Sequence, residues 1–411
     1  MNRPTTPRRI IIVGADFGFP NGSGATARVR CYAEGLRLSG AVPYVVIAGV
    51  VSPDELDDGN TEVAGEWNGV RYEYASGAVC GASTFLGRRR QELRSIRRLA
   101  HLILPRGDGG LDAVLLYGWI PRWLVPLRLL CTLGRTAFLL DVSEYPYVYR
   151  PGVGPVRRMG RALFLRAGLK LPDGVIVITG FLEQSLAPLL RRRAWLLRVP
   201  IMVDASRFDV PVEPTPGLVA YAGHLGHSAE LNDLVAAVEL VARRDPAVRL
   251  AIIGGVSDGQ RRDLIDRIAA HGLAGSVELV GPASADAIPA LLARATVLVL
   301  ARADGLFSRA GMPTKLGEYL ASGRPVVVTA TGDIPRYLHD GVDSYLVPPG
   351  DVARLSEAIE RALHDPLAAS VGLAGRGVAK RSFDPALHMA RVLEALRGSA
   401  GLGQEHSGHN R

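Results

Sequence analysis

Short runs of β-branched and aliphatic residues alternate with stretches whose apolar residues recur at helical spacing, from Ile10 almost to the end of the chain. In the first half the runs predict strands near 10–14, 43–48, 69–74, 112–117, 136–141 and 174–179, separated by helices near 25–39, 86–103, 121–132, 154–169 and 180–192. The proline-rich stretch Val210-Pro211-Val212-Glu213-Pro214-Thr215-Pro216-Gly217 interrupts this rhythm and reads as a linker over 206–217. The rhythm then restarts, with strands near 218–222, 249–253, 277–280, 295–301, 325–329 and 344–347 and helices near 229–243, 258–271, 284–293, 312–322 and 351–364. Strand–helix alternation of this kind predicts an α/β protein with two Rossmann-like doubly wound domains, over 1–205 and 218–383. Two such domains face a central cleft, because sheets of this type bind ligands at their carboxyl ends. An amphipathic helix over 384–398 follows, and 399–411 reads as a disordered tail.

Composition narrows the class. A chain of 411 residues is too long for a single small module, and 48% hydrophobic with 21% charged residues is a globular balance. The most apolar stretch, 111–140, is broken by Arg122, Arg128 and Arg135, so no membrane-spanning segment is predicted. The polar start leads into Ile10-Ile11-Ile12-Val13, too short for a signal-peptide core, and a cytoplasmic location is expected. Cys31, Cys80 and Cys131 are widely spaced and odd in number, which suits buried thiols better than a disulfide framework or a metal pair. The net charge of +8 is lopsided: residues 1–205 hold 27 Lys+Arg against 17 Asp+Glu, and 206–411 hold 21 against 23.

Two segments carry candidate chemistry. The loop after the first strand, Pro20-Asn21-Gly22-Ser23-Gly24-Ala25-Thr26-Ala27, matches the G-x-G-x-x-A pattern in form and opens a helix. The second strand ends in Ala48-Gly49-Val50 without a carboxylate for a ribose, so nicotinamide chemistry is not expected. A phosphate contact by Gly22, Ser23 and Gly24 remains, beside the reading of an ordinary Asn-Gly surface turn. The second segment, from Ser308 to Val328, reads as strand, glycine-containing loop, helix with Pro313 in its first turn, Gly323 as C-cap, and buried strand. A helix starting near Pro313 presents free N–H groups to a diphosphate, with Arg309 and Lys315 adding full positive charge. Glu318 lies one turn beyond Lys315 on the same face and can accept hydrogen bonds from two ribose hydroxyls.

With these residues in view, the sequence resembles the GT-B glycosyltransferases of family 4, retaining enzymes that use nucleotide sugars. The resemblance runs through Asn21-Gly22-Ser23-Gly24, Asp141-Val142-Ser143-Glu144-Tyr145-Pro146, Ile176-Val177-Ile178-Thr179, Val199-Pro200-Ile201-Met202-Val203-Asp204 and Tyr221-Ala222-Gly223, and is densest at Pro313 to Val328. It implies that Glu318 binds the donor ribose and that Gly311, Met312, Pro313, Thr314, Lys315 and Leu316 contact phosphates and sugar. It also implies that Gly22 to Gly24 cap the diphosphate and that the last helix crosses back to the N-terminal domain. The donor would be a UDP- or GDP-sugar, and the acceptor a polysaccharide or lipid-linked intermediate or a small specialised metabolite.

The pattern departs from the family at three places. The family's first glutamate of E-x7-E falls on Ala310, leaving Asp304 as a substitute. The basic pair after the first C-terminal strand is replaced by Gly223-His224-Leu225-Gly226-His227, so His224 or His227 takes part of that charge or is structural. The histidine after the fourth strand is matched only by Tyr117 or Trp119. Front-face transfer, in which the departing phosphate takes the acceptor's proton, needs mainly leaving-group stabilisation, assigned here to Arg309 and Lys315. Glu144 is the candidate for orienting acceptor or sugar, beside the reading of a satisfied loop carboxylate. No Asp-x-Asp pair ends a strand, so neither metal nor other cofactor is expected. Arg88-Arg89-Arg90, Arg94, Arg97 and Arg98 interleave with Leu86, Leu93, Ile96 and Leu99 on one helix, over 86–98. That helix is read either as a peripheral contact with the inner face of a membrane or as a solvated surface, and no nucleic-acid module accompanies it. Two other functions stay open: a nucleotide-sugar epimerase or hydrolase of the same fold, and a non-catalytic nucleotide-sugar-binding protein.

Overall fold

The structure, a computed structural model, describes residues 7–15, 17–49, 59–105, 110–145, 154–223, 228–255 and 258–404. It divides into two compact units, one formed by 1–200 with 385–411 and the other by 201–384.

The first unit is built on eight strands, β1 (Arg9–Gly14), β2 (Val42–Ile47), β3 (Ala64–Trp67), β4 (Val70–Tyr74), β5 (Ala113–Tyr117), β6 (Ala137–Val142), β7 (Gly174–Val177) and β8 (Trp195–Arg198). Their order is β3-β4-β2-β1-β5-β6-β7-β8, parallel except for β3. Ile10 to Val13 are almost wholly buried because helices cover both faces, and burying each such side chain contributes about 1.5–3 kcal/mol. Right-handed crossovers put the helices that follow β4, β5 and β6 on one face, and the helix Gly24–Leu38 that follows β1 on the other. Against Gly24–Leu38 packs the last helix, Pro385–Gln404, so closely that a Cβ on Gly35 would lie 2.3 Å from the Pro385 carbonyl oxygen.

The second unit carries a six-stranded parallel sheet, β9 (Leu218–Ala222), β10 (Arg249–Ile253), β11 (Val277–Gly281), β12 (Val297–Leu300), β13 (Val326–Thr329) and β14 (Tyr345–Val347), in the order β11-β10-β9-β12-β13-β14. Both sheets are thus doubly wound, with helices crossing between parallel strands.

Several elements depart from the sequence expectation. The hairpin strand β3 was not expected, since Ala64-Gly65-Glu66-Trp67 has no apolar run; it exists because Asn68 and Gly69 both take positive φ, the turn that joins two antiparallel strands through two residues. The helix expected over 180–192 stops at Leu186, where Pro188 enters a short 3-10 turn, and the chain then forms β8 at the sheet edge. The helix expected over 312–322 is Thr314–Ala321, and a further short helix, Leu306–Ala310, precedes it, separated by an extended Gly311 and Pro313. The helix Ala368–Ser382 was not expected; Gly372 and Gly375 let it pack closely, a Cβ at either position falling 2.4 Å from Gly323 O or 2.6 Å from Asp343 O.

The division also differs from the proline-linker boundary. Residues 201–217 belong to the second unit: Val203 N–H donates to Phe383 O, Arg207 to Ala285 O, Arg324 to Val212 O, and Thr215 N–H to Arg294 O. Prolines suppress regular structure there, but hydrogen bonds to the rest of the second unit hold the segment. The final helix continues through Gln404, beyond the start of the expected tail, and 405–411 lie outside the described residues.

Candidate active site

In the second sheet the strand order reverses between β9 and β12, so the loops leaving their carboxyl ends diverge and open a crevice. Tyr319, fully buried on the helix Thr314–Ala321, ties that helix to the crevice: its hydroxyl accepts from Ala222 N–H at 2.6 Å and donates to Ala222 O at 3.0 Å. One turn earlier, Lys315 donates to the Tyr221 hydroxyl at 2.6 Å and to Glu230 Oε2 at 3.3 Å. The buried guanidinium of Arg302, just past β12, stands 3.8 Å from the other Glu230 oxygen and donates to Gly311 O at 3.3 Å. Two cations thus share one carboxylate. Burial pushes the Lys315 pKa below its ordinary value, partly opposed by Glu230, and Arg302 lowers it further. Gly223 lies against this cluster, a Cβ there falling 2.8 Å from Nζ at the end of the Lys315 side chain.

The helix that carries Lys315 begins after Pro313 with neither a side-chain cap nor an acidic residue in its first turn. Its N-terminal amides and dipole therefore favour an anion. Glu318 follows on the same helix, and among the described residues no group hydrogen-bonds its carboxylate. Burial raises its pKa, with Arg207 and Lys315 pulling it back. A partly buried acceptor left unmatched beside a cationic helix start is suited to receive hydroxyl donors.

The first unit places a second helix start, that of Gly24–Leu38, after β1. Ser23 is the N-cap residue but makes no side-chain cap, and no acidic residue occupies the first turn. The loop is held from behind: Asn21 exchanges hydrogen bonds with Asn60, and Thr26 Oγ1 donates to Gly18 O. A Cβ on Gly22 would lie 2.3 Å from Thr26 Oγ1, so the glycine is part of that packing. Below the loop, the buried Arg28 guanidinium donates to Asp141 and to the carbonyls of Val199 and Pro200, while Tyr32 and Ser143 also donate to Asp141. This network fixes the ends of β6 and β8 to the helix.

Residues 216–365 match the sequence pattern of the glycosyl transferases group 1. The stretch is thus similar to the glycosyl transferases group 1 over about a third of the chain. Glycogen synthase of Mycobacterium tuberculosis is 30% identical over 171 residues, 41% of this chain and 39% of the relative. A GDP-mannose-dependent alpha-(1-6)-phosphatidylinositol monomannoside mannosyltransferase of Mycolicibacterium smegmatis is 32% identical over 170 residues, 40% of this chain and 44% of the relative. The match thus spans under half the length of these relatives. Among solved structures, sucrose-phosphate synthase from Thermosynechococcus elongatus superposes with a TM-score of 0.71 at 18% identity, over 95% of this chain and 100% of the other. Anabaena HepE, solved with UDP-glucose, gives a TM-score of 0.66 at 15% identity, over 94% and 99%. The fold is GT-B, with two Rossmann-like domains, and the matched domain is that of a transferase enzyme.

Within the matched stretch, Gly311, Met312, Pro313, Thr314, Lys315, Leu316 and Glu318 lie in sequence at the crevice, with Met312 and Leu316 buried in support. Arg309 stands apart from the Lys315 cluster. It is exposed on the helix Leu306–Ala310 and paired with Asp304 at 2.7 Å, which engages both the expected cation and the substitute carboxylate. His224 and His227 lie outside the described residues. Gly22, Ser23, Gly24 and Glu144 belong to the first unit, where Glu144 is exposed past β6 and contributes, after burial and Asp141, to holding the Tyr117 hydroxyl protonated. Trp119, the other stand-in for the histidine, follows β5 two residues after Tyr117.

Sequence reading missed the parts played by Tyr221, Glu230 and Arg302. A signal existed for Arg302, a lone charge directly after the apolar run Val297–Leu300 and Ala301, but its partners come from the helix Ser228–Ala242, from Gly311 and from the end of β13. Among the described residues no group of three or more His, Cys, Asp or Glu could hold a metal ion, and no helix is long and apolar enough to cross a membrane.

Proposed function

We propose that the protein is a retaining glycosyltransferase of family 4 that moves a sugar from a UDP- or GDP-sugar to a sugar-containing or small-molecule acceptor. The observation that carries this reading is the helix Thr314–Ala321, whose uncapped start, Lys315 ammonium and unmatched Glu318 carboxylate line one crevice. In the proposal Glu318 accepts from the donor ribose, and the helix amides with Lys315 hold the diphosphate. Arg302 keeps Lys315 in place through the shared Glu230, and Arg309 serves as an outer cation that exchanges Asp304 for phosphate. His224 and the loop Gly22-Ser23-Gly24 complete the donor contacts. Two named comparisons support a nucleotide sugar: a relative that is GDP-mannose-dependent and a neighbour solved with UDP-glucose.

The step breaks the bond between the sugar's anomeric carbon and the phosphate oxygen and forms one to the acceptor oxygen on the same face. The acceptor's proton goes to the departing phosphate, so the protein's chief contribution is to stabilise the charge left on the diphosphate. Glu144 orients the acceptor or the sugar. No metal is assigned a role, and the reaction is placed in the cytoplasm.

Thermal unfolding with UDP, GDP, dTDP and ADP tests the donor site, since a ligand at 100 times its Kd adds about 2.7 kcal/mol of stability. One nucleotide is expected to raise the midpoint, and Glu318→Ala to abolish that shift while leaving the unliganded midpoint within about 1 kcal/mol equivalent, because no described residue hydrogen-bonds the Glu318 carboxylate. Because burial raises the Glu318 pKa, nucleotide affinity should weaken on acidification at a higher pH than an exposed glutamate would give. Absence of any nucleotide shift would sink the assignment. Turnover of the donor alone to a free or epimerised sugar would instead favour a hydrolase or epimerase, and binding without turnover a non-catalytic protein.

A further inference from the structure

We infer that the first unit carries a docking face for an anionic phospholipid surface, formed by three adjacent helices rather than by the basic helix alone. The helices Phe85–Ile103, Pro121–Gly134 and Pro155–Gly168 follow β4, β5 and β6, so right-handed crossovers place them side by side on one face of the sheet. The middle one packs against both neighbours. Their sequences hold twelve arginines and a single glutamate, Glu92, which is paired with Arg89, while Arg98 and Arg128 pair with Glu73 and Asp173 from outside these helices. No other part of the chain concentrates charge of one sign in this way, and it accounts for the positive excess of the first half.

The outer surface of this layer is also apolar. Of the twelve exposed large hydrophobic side chains described in the first unit, eight lie on these three helices. Each helix presents them as a stripe at helical spacing. On the first, Leu86 and Leu93 alternate with Arg90 and Arg97, all exposed. On the second, Val125, Leu129 and Leu133 recur every fourth residue, with Leu133 68% exposed. On the third, Met159 and Leu163 precede Arg166, with Met159 70% exposed. Solvent alone gives no reason to place leucines outward at i, i+4 and i+8, and a patch of this breadth marks an interaction surface. A partner with acidic headgroups over hydrocarbon matches both components, arginine at the phosphates and leucine at the acyl boundary. Among the described residues no helix is long and apolar enough to cross a membrane, and the contact proposed is a peripheral one. This inference does not depend on the donor-site reading.

The test is co-sedimentation of the full chain with phosphatidylcholine vesicles and with vesicles in which phosphatidylglycerol replaces part of the phosphatidylcholine. Binding is expected only to the anionic vesicles and should weaken at least tenfold when salt is raised severalfold. Leu93→Glu, Leu129→Glu and Met159→Glu, one per helix, should each weaken it by about tenfold or more. Because a charged variant can misfold, Leu93→Trp, Leu129→Trp and Met159→Trp provide a second reading, with tryptophan emission shifting to the blue on vesicle addition for all three. Several results would overturn the proposal: no binding, equal binding to phosphatidylcholine, or a response at Leu93 alone, which would return the surface to one helix. A dimer in sedimentation equilibrium that Leu129→Glu dissociates, without vesicle binding, would assign the face to a second copy of the chain instead.

Discussion

Lys315→Met will lower kcat for sugar transfer by about 10²–10³-fold, as expected for loss of a preorganised cation aimed at the developing leaving-group charge. The ammonium is positioned before substrate arrives, held by the Tyr221 hydroxyl and Glu230 over a Gly223 that leaves it room. Methionine keeps the length and removes the charge, so the unliganded fold should change little while turnover collapses. The pH profile gives an independent reading. Burial lowers the Lys315 pKa, so its charge is lost as pH rises through a value below the roughly 10.4 of a free lysine, and kcat should fall on that alkaline limb. Lys315→Arg, which stays protonated, should shift the limb upward even where it lowers the rate. An unchanged kcat in Lys315→Met, measured with saturating donor, would remove this residue from the leaving-group site.

Asp141→Asn is expected to destabilise the first unit by about 3–5 kcal/mol, measured as a lower urea midpoint, because it leaves the Arg28 guanidinium buried without its counter-charge. Arg28 is 2% exposed and Asp141 wholly enclosed, and Tyr32 and Ser143 donate to the same carboxylate. Replacing both partners, Arg28→Met with Asp141→Leu, should recover part of that loss, since two apolar groups need no compensation. The nucleotide-induced thermal shift should survive in Asp141→Asn, because the proposed ribose and diphosphate groups at Lys315 and Glu318 belong to the other unit. A midpoint within experimental error of the parent protein would show that the network is not what holds β6 to the helix Gly24–Leu38.

The positions of the strands were legible because parallel strands buried on both faces must be continuous apolar runs, as at Ile10–Val13 and Val326–Val328. The same logic placed Lys315 and Glu318 on one helix face, since three residues make nearly one turn. It failed where apolar continuity was not the controlling interaction. The edge strand β3 depends on the two-residue turn Asn68-Gly69, and the glycine-rich helix Ala368–Ser382 depends on close approach to Gly323 and Asp343. Arg309 and Arg302 illustrate the limit for charges. Both flank the same loop, but the short helix Leu306–Ala310 turns Arg309 to solvent and Asp304, whereas Arg302 is drawn inward to Glu230.

By itself the sequence determined the α/β class, the two sheets and the segment that carries the glycosyl transferase pattern, because hydrophobic period and helix-terminal residues act over a few neighbouring positions. Only the tertiary structure decided which charges meet. Tyr221, Glu230, Arg302 and Lys315 come from four separate elements of the second unit, and Arg28 and Asp141 are separated by 113 residues. Their pairing follows from strand order and from the exclusion of water around them, neither of which a local pattern encodes.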